Sequence, residues 1–235
     1  MIDPWNVAIC LDFPDQLFVS RNSSPLAIGL GEGSNFVGSD AQSINHLTNK
    51  IMYLEDGDYA LIKVNNIQIF DKDSNKIDRK IINVRSELGL ITKGGYKHFM
   101  EKEIYEQPEA ILNTLDGRVG GDDILDNIFG LGSNEMFAKV KRIQIVACGT
   151  SLHAGRVAAN WLSSIAELPC QIDYASEYRY RNPHVDENSL LITISQSGET
   201  ADTLAALRYA KEKGYLGSVS ICNVPTSSLA RESDF

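Results

Sequence analysis

The stretch Leu190-Leu191-Ile192-Thr193-Ile194-Ser195-Gln196-Ser197-Gly198-Glu199-Thr200, followed by Ala201-Asp202-Thr203-Leu204-Ala205-Ala206-Leu207, decides the fold of this chain. Its opening run is apolar and β-branched without polar alternation, the pattern of a parallel strand covered on both faces. The alanine- and leucine-rich run after it reads as a helix. Between the two, Ser195, Gln196, Ser197 and Thr200 fill a turn in which the first N–H groups of the helix have no intrahelical partner. Such a turn suits an anion, because free N–H groups, the positive helix end and hydroxyls accommodate a phosphate without any lysine or arginine in the loop. Helix capping uses one or two hydroxyls, so three hydroxyls and a side-chain amide within six residues exceed that need.

A second loop of the same kind lies upstream. Arg142 to Ala147 reads as a buried strand, Cys148-Gly149-Thr150-Ser151 as a turn made sharp by Gly149, and residues 153–168 as a helix. Further strands are expected at 170–175 and 218–223, so strands and helices alternate. That alternation predicts an α/β, doubly wound parallel sheet. In the flavodoxin-like order 2-1-3-4-5 the first and third strands are neighbours, and the crevice at their C-terminal ends is the usual ligand site. Both hydroxyl loops are expected to meet there.

These residues carry a family resemblance. The segments Ala147-Cys148-Gly149-Thr150-Ser151, Ala175-Ser176-Glu177-Tyr178-Arg179-Tyr180-Arg181, Ser195-Gln196-Ser197-Gly198-Glu199-Thr200-Ala201-Asp202-Thr203 and Ile221-Cys222-Asn223-Val224-Pro225 resemble the glucosamine-6-phosphate synthases, the isomerising glutamine:fructose-6-phosphate amidotransferases. Lys102-Glu103-Ile104-Tyr105-Glu106-Gln107-Pro108 and Ser24-Pro25-Leu26-Ala27-Ile28-Gly29-Leu30-Gly31 extend the likeness over nearly the whole chain. The second half resembles a sugar isomerase domain. The resemblance implies substrate contacts from Cys148, Gly149, Thr150, Ser151, Ser195, Gln196, Ser197 and Thr200, with Ser195, Ser197 and Thr200 mainly at the phosphate. The implied ligand is fructose 6-phosphate or its product glucosamine 6-phosphate.

Composition bounds the remaining choices. With 235 residues, 43% of them hydrophobic, the chain is large enough for a buried core of one large or two small domains. A net charge of −9 argues against nucleic acid or an anionic membrane as the main partner. No apolar run approaches the roughly 18 residues of a membrane span, and no basic start with a signal core is present, so a cytoplasmic location is expected. The four cysteines, Cys10, Cys148, Cys170 and Cys222, form no close pair and no ligand spacing with histidine, which predicts neither disulfide nor zinc site. Cys10, Cys170 and Cys222 read as small core residues, and Cys148 lacks an evident histidine base. No metal and no cofactor are expected. His46, His98, His153 and His184 are scattered singles with surface or packing roles.

Residues 1–92 have a different texture. Short strand-like runs at 5–11, 17–20, 26–30, 35–37, 50–54, 58–64, 67–70 and 80–84 are separated by turn clusters, which predicts antiparallel sheet. Asp71-Lys72-Asp73-Ser74-Asn75 lacks the glycine and distal glutamate of a calcium loop and reads as a hairpin turn. By resemblance this region is an incomplete part of an N-terminal-nucleophile glutaminase domain. The family's nucleophilic cysteine and glutamine-binding residues have no counterpart here, and missing strands would leave edges and apolar faces uncovered. Residues 93–132 read as a helical linker: a break at Gly94-Gly95, a helix over 97–106, a second helix starting at Pro108, and a glycine- and aspartate-rich connection with a helical turn at 124–129. Residues 133–235 are then a first sugar isomerase domain, truncated before a fifth strand.

The resemblance implies an internal fragment of an enzyme that transfers glutamine-derived ammonia to fructose 6-phosphate and isomerises the ketose to an aldose. The family's catalytic lysine, histidine and glutamate belong to a second sugar domain, so no catalytic residue is assigned here, and the fragment alone is expected to be inactive. Glutamine would be a partner of the full-length protein only, and a homodimer through the sugar domains is implied. The alternative is a non-catalytic phosphosugar-binding regulatory module, since every assigned residue is a binder. Dinucleotide binding is disfavoured because Cys148-Gly149-Thr150-Ser151 lacks a G-x-G-x-x-G fingerprint.

Overall fold

The computed structural model describes residues 6–22, 25–84, 93–121, 123–126 and 128–235. Trp5 of the first expected strand, Ser24 of the family-like segment, the domain boundary expected at 92, and Asp122 and Asn127 of the connection lie outside them. The chain forms two compact units. One comprises Met1–Ser86, Ser195–Ala205 and Cys222–Glu232, and the other Glu87–Ile194, Ala206–Ile221 and Ser233–Phe235.

The N-terminal stretch of the first unit contains β1 (Asn6–Cys10), β2 (Phe13–Ser20), β3 (Ala27–Leu30), β4 (Asn35–Gly38), α1 (Ala41–Ile44), β5 (Lys50–Tyr53), β6 (Tyr59–Lys63), β7 (Asn66–Phe70), β8 (Lys76–Ile77) and β9 (Ile81–Asn83). All pairings are antiparallel, in two sheets of order β1-β2-β6-β7-β8 and β4-β3-β5-β9. The period-2 pattern of a strand explains how they pack. Ile28 of β3 joins Val19, Ala60, Ile62 and Ile69 from the other sheet, while its neighbour Ala27 faces Ala41 and Ile44 of α1 on the opposite side. This makes β3 buried on both faces, which is why it reads as continuously apolar. The Asp71 turn is a hairpin turn, with the Asp71 carboxylate accepting from the N–H groups of Asp73 and Asn75 at 2.9 Å each. The outer strand β1 leaves Ile9 72% exposed, and Leu11 after it is 94% exposed, in line with uncovered apolar surface.

The second unit begins with α2 (Phe99–Leu115), β10 (Val119–Gly120), β11 (Asp123–Ile124) and α3 (Ser133–Phe137). Two expectations are corrected here. Pro108 lies inside one continuous helix and does not start a second one. Proline removes one i→i−4 bond, but the strong helix formers on either side, Glu101 to Glu106 and Glu109 to Leu112, carry the helix through. Ile124 is in a hairpin with Val119, because two β-branched residues pair across the tight turn in place of the expected helical turn over 124–129. Helix α2 also buries the wrong face for a packed amphipathic element. Met100, Ile104, Ile111 and Leu112 are exposed, whereas Lys102 is buried with its ammonium 3.5 Å from Glu106.

The parallel sheet follows: β12 (Arg142–Ala147), α4 (Gly149–Ser164), β13 (Cys170–Tyr174), α5 (Ala175–Tyr178), β14 (Ser189–Ser195), α6 (Ala201–Lys211), β15 (Gly217–Cys222) and α7 (Ser228–Glu232). Strand order is β13-β12-β14-β15, the 2-1-3-4 part of the flavodoxin-like order. The β12 pairings to β13 and β14 are parallel. Ile143, Ile145, Leu190 and Val219 form its core with Ala159 of α4. Helix α4 begins at Gly149 instead of 153, because the chain turns straight from extended Cys148 into the helix, and it stops at Ser164 before Glu167, which takes a positive φ of 55°. Two of the cysteines are corrected too. Cys10 and Cys222 are half-buried at strand ends, not core residues, whereas Cys170, half-buried at the start of β13, packs against the parallel-sheet core as expected. Burial still pushes the Cys170 thiol up to about 11.

Candidate functional site

Ser195 is the last residue of β14, and its side chain is 5% exposed. A buried hydroxyl costs free energy unless it is bonded, and Ser195 Oγ accepts from Gly198 N at 3.1 Å and lies 3.2 Å from Thr200 Oγ1. Ser197 Oγ accepts from Glu199 N at 3.2 Å. The turn is therefore closed by its own hydroxyls, as serine and threonine close local turns. Gly198 is the hinge of this closure, with a φ of +67° that only glycine adopts without cost. Asn223 N donates to Gln196 O at 3.1 Å, and Leu204 N to Thr200 O at 3.0 Å opens the helix. Gln196 is exposed and Ser197 and Thr200 are half-buried, so both hydroxyls remain reachable.

The charge in this loop is negative. Asp202 lies in the first turn of α6, and Glu199 accepts from Ser228 N at 2.8 Å through Oε1 while its buried Oε2 has no hydrogen-bond partner among the described residues. Burial raises the Glu199 carboxyl above its usual value of 4.5, opposed by the bond from Ser228 and the charge of Arg231 and reinforced by Asp40. An anion held here would rest on hydroxyls and backbone N–H groups, the donors of a helix N-terminus.

The other turn differs. Cys148 is extended and half-buried, and makes no side-chain capping bond. Gly149 has a φ of +56°, and Thr150 and Ser151 occupy the first turn of α4. Thr150 is exposed and Ser151 half-buried, and their side chains take part in no hydrogen bond among the described residues. Ala147, the residue before Cys148, pairs with Ile194 in parallel. Glu199 is an acidic side chain set in the chain among Ser195, Ser197 and Thr200. No group of three or more metal-ligating side chains occurs among the described residues, and no described helix is long and apolar enough to cross a membrane.

Residues 136–235, which include both loops, match the SIS domain family. A glutamine--fructose-6-phosphate aminotransferase [isomerizing] of Pseudomonas putida is 52% identical over 221 residues, 94% of this chain and 36% of that protein. This chain is homologous to a stretch of those aminotransferases. The same enzyme of Idiomarina loihiensis is 50% identical over 97% of this chain and 37% of its own length. The chain thus spans about 36% of the length of the curated relatives it matches. Among solved structures, the C-terminal domain of glucosamine-fructose-6-phosphate aminotransferase from Francisella tularensis superposes with a TM-score of 0.59 at 53% identity, over 61% of this chain and 40% of that one. The α/β sheet of the SIS domain and the family recognised from its motifs agree with these findings, and the antiparallel sheets precede it.

Proposed function

We infer that this chain supplies the phosphosugar-binding part of an isomerising glutamine:fructose-6-phosphate aminotransferase. The observation that carries this reading is the hydroxyl-closed loop Ser195–Thr200 at the end of β14, lying within the SIS match. In it Ser195, Ser197 and Thr200 hold the phosphate, and Gln196, Cys148, Gly149, Thr150 and Ser151 contact the sugar or line its site. Each hydroxyl bond to a charged phosphate contributes about 1.5 to 3 kcal/mol. Replacing the loop's internal bonds by bonds to the ligand leaves the hydroxyls where they are and exchanges only their partners.

The reaction assigned to the whole enzyme is glutamine plus fructose 6-phosphate giving glutamate and glucosamine 6-phosphate. Water hydrolyses the glutamine amide to glutamate and ammonia, ammonia condenses with the ketose carbonyl with loss of water, and a proton shift from C1 to C2 of the resulting imine gives the 2-amino aldose. None of the residues assigned here carries a proton in that sequence, so the chemistry falls to groups beyond this stretch of the relatives. The division into a glutaminase-type part (1–92), a helical linker (93–132) and a sugar domain (133–235), a homodimer and a cytoplasmic location belong to the same proposal. The all-binder site also favours a second reading, a phosphosugar-binding regulatory module without catalysis.

Calorimetric titration of the chain with fructose 6-phosphate tests the common core of both readings. Ser197→Ala is expected to weaken binding about tenfold or more, from the loss of one charged hydrogen bond. Unchanged affinity would remove Ser197 from the site.

A further inference from the structure

Glu199 has no part in the binding scheme above, yet it is the side chain by which the Ser195–Thr200 loop grips the segment after β15. Its N–H donates to Ser197 Oγ at 3.2 Å, and its Oε1 accepts from Ser228 N at 2.8 Å. Two main-chain bonds run along the same seam, Leu229 N to Gly198 O at 3.0 Å and Asn223 N to Gln196 O at 3.1 Å. Gly198 lies so close to Ser227 that a Cβ there would overlap the serine side chain. The far side of the seam is itself anchored: Arg231 donates to Ser228 Oγ at 3.0 Å, and its guanidinium lies 3.9 Å from the centre of the Tyr53 ring. The loop is thus bonded both to itself, through the Ser195 and Ser197 hydroxyls, and to the segment 222–231.

The two main-chain bonds involve no side chain, so sequence enters the seam through the bare Gly198, which lets the chains approach, and through the carboxyl group of Glu199. A residue kept there for packing alone would be apolar, because the second carboxyl oxygen is buried without a donor among the described residues and burial works against its charge. Glu199 also stands in the chain between Ser197 and Thr200, so a movement of its backbone displaces both hydroxyls. We propose that Glu199 is a positioning residue, whose carboxylate bond to the Ser228 N–H holds the Ser197 and Thr200 hydroxyls at the spacing that receives a phosphate. This rests on the phosphosugar reading of the loop.

Three substitutions separate the possibilities. Glu199→Gln keeps an oxygen acceptor at the same reach, Glu199→Asp keeps the charge one methylene short of Ser228, and Glu199→Ala removes the bond. Each is titrated with fructose 6-phosphate by calorimetry, well below its own thermal midpoint, beside the wild type and Ser197→Ala. Glu199→Gln is expected to bind within about twofold of wild type, while Glu199→Asp and Glu199→Ala bind about tenfold more weakly, the change that follows from a displaced charged hydrogen bond. If Glu199→Ala does not fold, the Gln and Asp pair carries the comparison. Wild-type affinity in Glu199→Asp, or equal losses in Gln and Asp, overturns the positioning role while Ser197→Ala still reports on the site. If the wild type itself binds no fructose 6-phosphate, the phosphosugar reading fails and the inference fails with it.

Discussion

The two hydroxyl turns of this chain look alike in sequence and behave differently in structure. Ser195–Thr200 is closed by its own hydroxyls and pinned along the Cys222–Arg231 segment, whereas the side chains of Thr150 and Ser151, at the head of α4, make no hydrogen bond among the described residues. The difference is one of preorganisation. A turn whose donors and acceptors are already placed loses little conformational freedom when a ligand arrives, while an open turn must order its side chains at that moment. The closed turn is therefore the one expected to set affinity, and the open one to adapt to the sugar.

Glycine substitutions are the strongest way to break that comparison. Gly198→Ala combines a left-handed backbone with a side-chain overlap on Ser227, and is expected to cost about 2 to 5 kcal/mol. Gly149→Ala carries only the backbone term, about 1 to 2 kcal/mol, since nothing lies within 4 Å of its added Cβ. Chemical denaturation of both variants checks the order, and equal losses would mean that the closed turn is no tighter than the open one. Hydroxyl removal gives a smaller contrast. Ser195→Ala strands buried polar groups and should lower stability by about 1 kcal/mol, while exposed Thr150→Ala should stay within about 0.5 kcal/mol of wild type.

The smallest effect sharpens the electrostatics of the closed turn. Burial raises the Glu199 carboxyl above 4.5 in the folded chain. A raised carboxyl is favoured in its protonated form by folding, so this contribution is complete below 4.5 and fades as pH rises through the folded value. The thermal midpoint of wild type should therefore fall relative to Glu199→Gln as pH is raised from acid toward neutral. A difference that stays flat over that range would show that burial does not burden this group.

Much of the parallel sheet is legible in the residues. Ile145-Val146-Ala147 and Leu190-Leu191-Ile192 form continuous apolar runs because parallel strands are covered on both faces, and hydroxyls at the following turns mark the helix starts. The antiparallel strands are legible for the same local reason, alternation between turn clusters. Where reading fails, a longer-range effect decides. Pro108 is carried inside a helix by its neighbours, Ile124 takes a strand because Val119 can pair with it, and Cys10 and Cys222 lie half-buried because their strands end there. The bond made by Glu199 is not legible in the sequence, because its donor, Ser228, lies twenty-nine residues further on.

The sequence by itself determined the strand and helix alternation, the antiparallel texture before it, the two hydroxyl turns and the family likeness, since periodicity and turn chemistry act over a few neighbouring residues. Only the tertiary structure decided which turn is closed, that the closed one is also bonded to residues 222–231, and that α2 buries Lys102 while exposing Met100 and Ile104. Those outcomes depend on which distant segment supplies the opposing surface, and the energy of a hydrogen bond or a buried side chain is set by that partner.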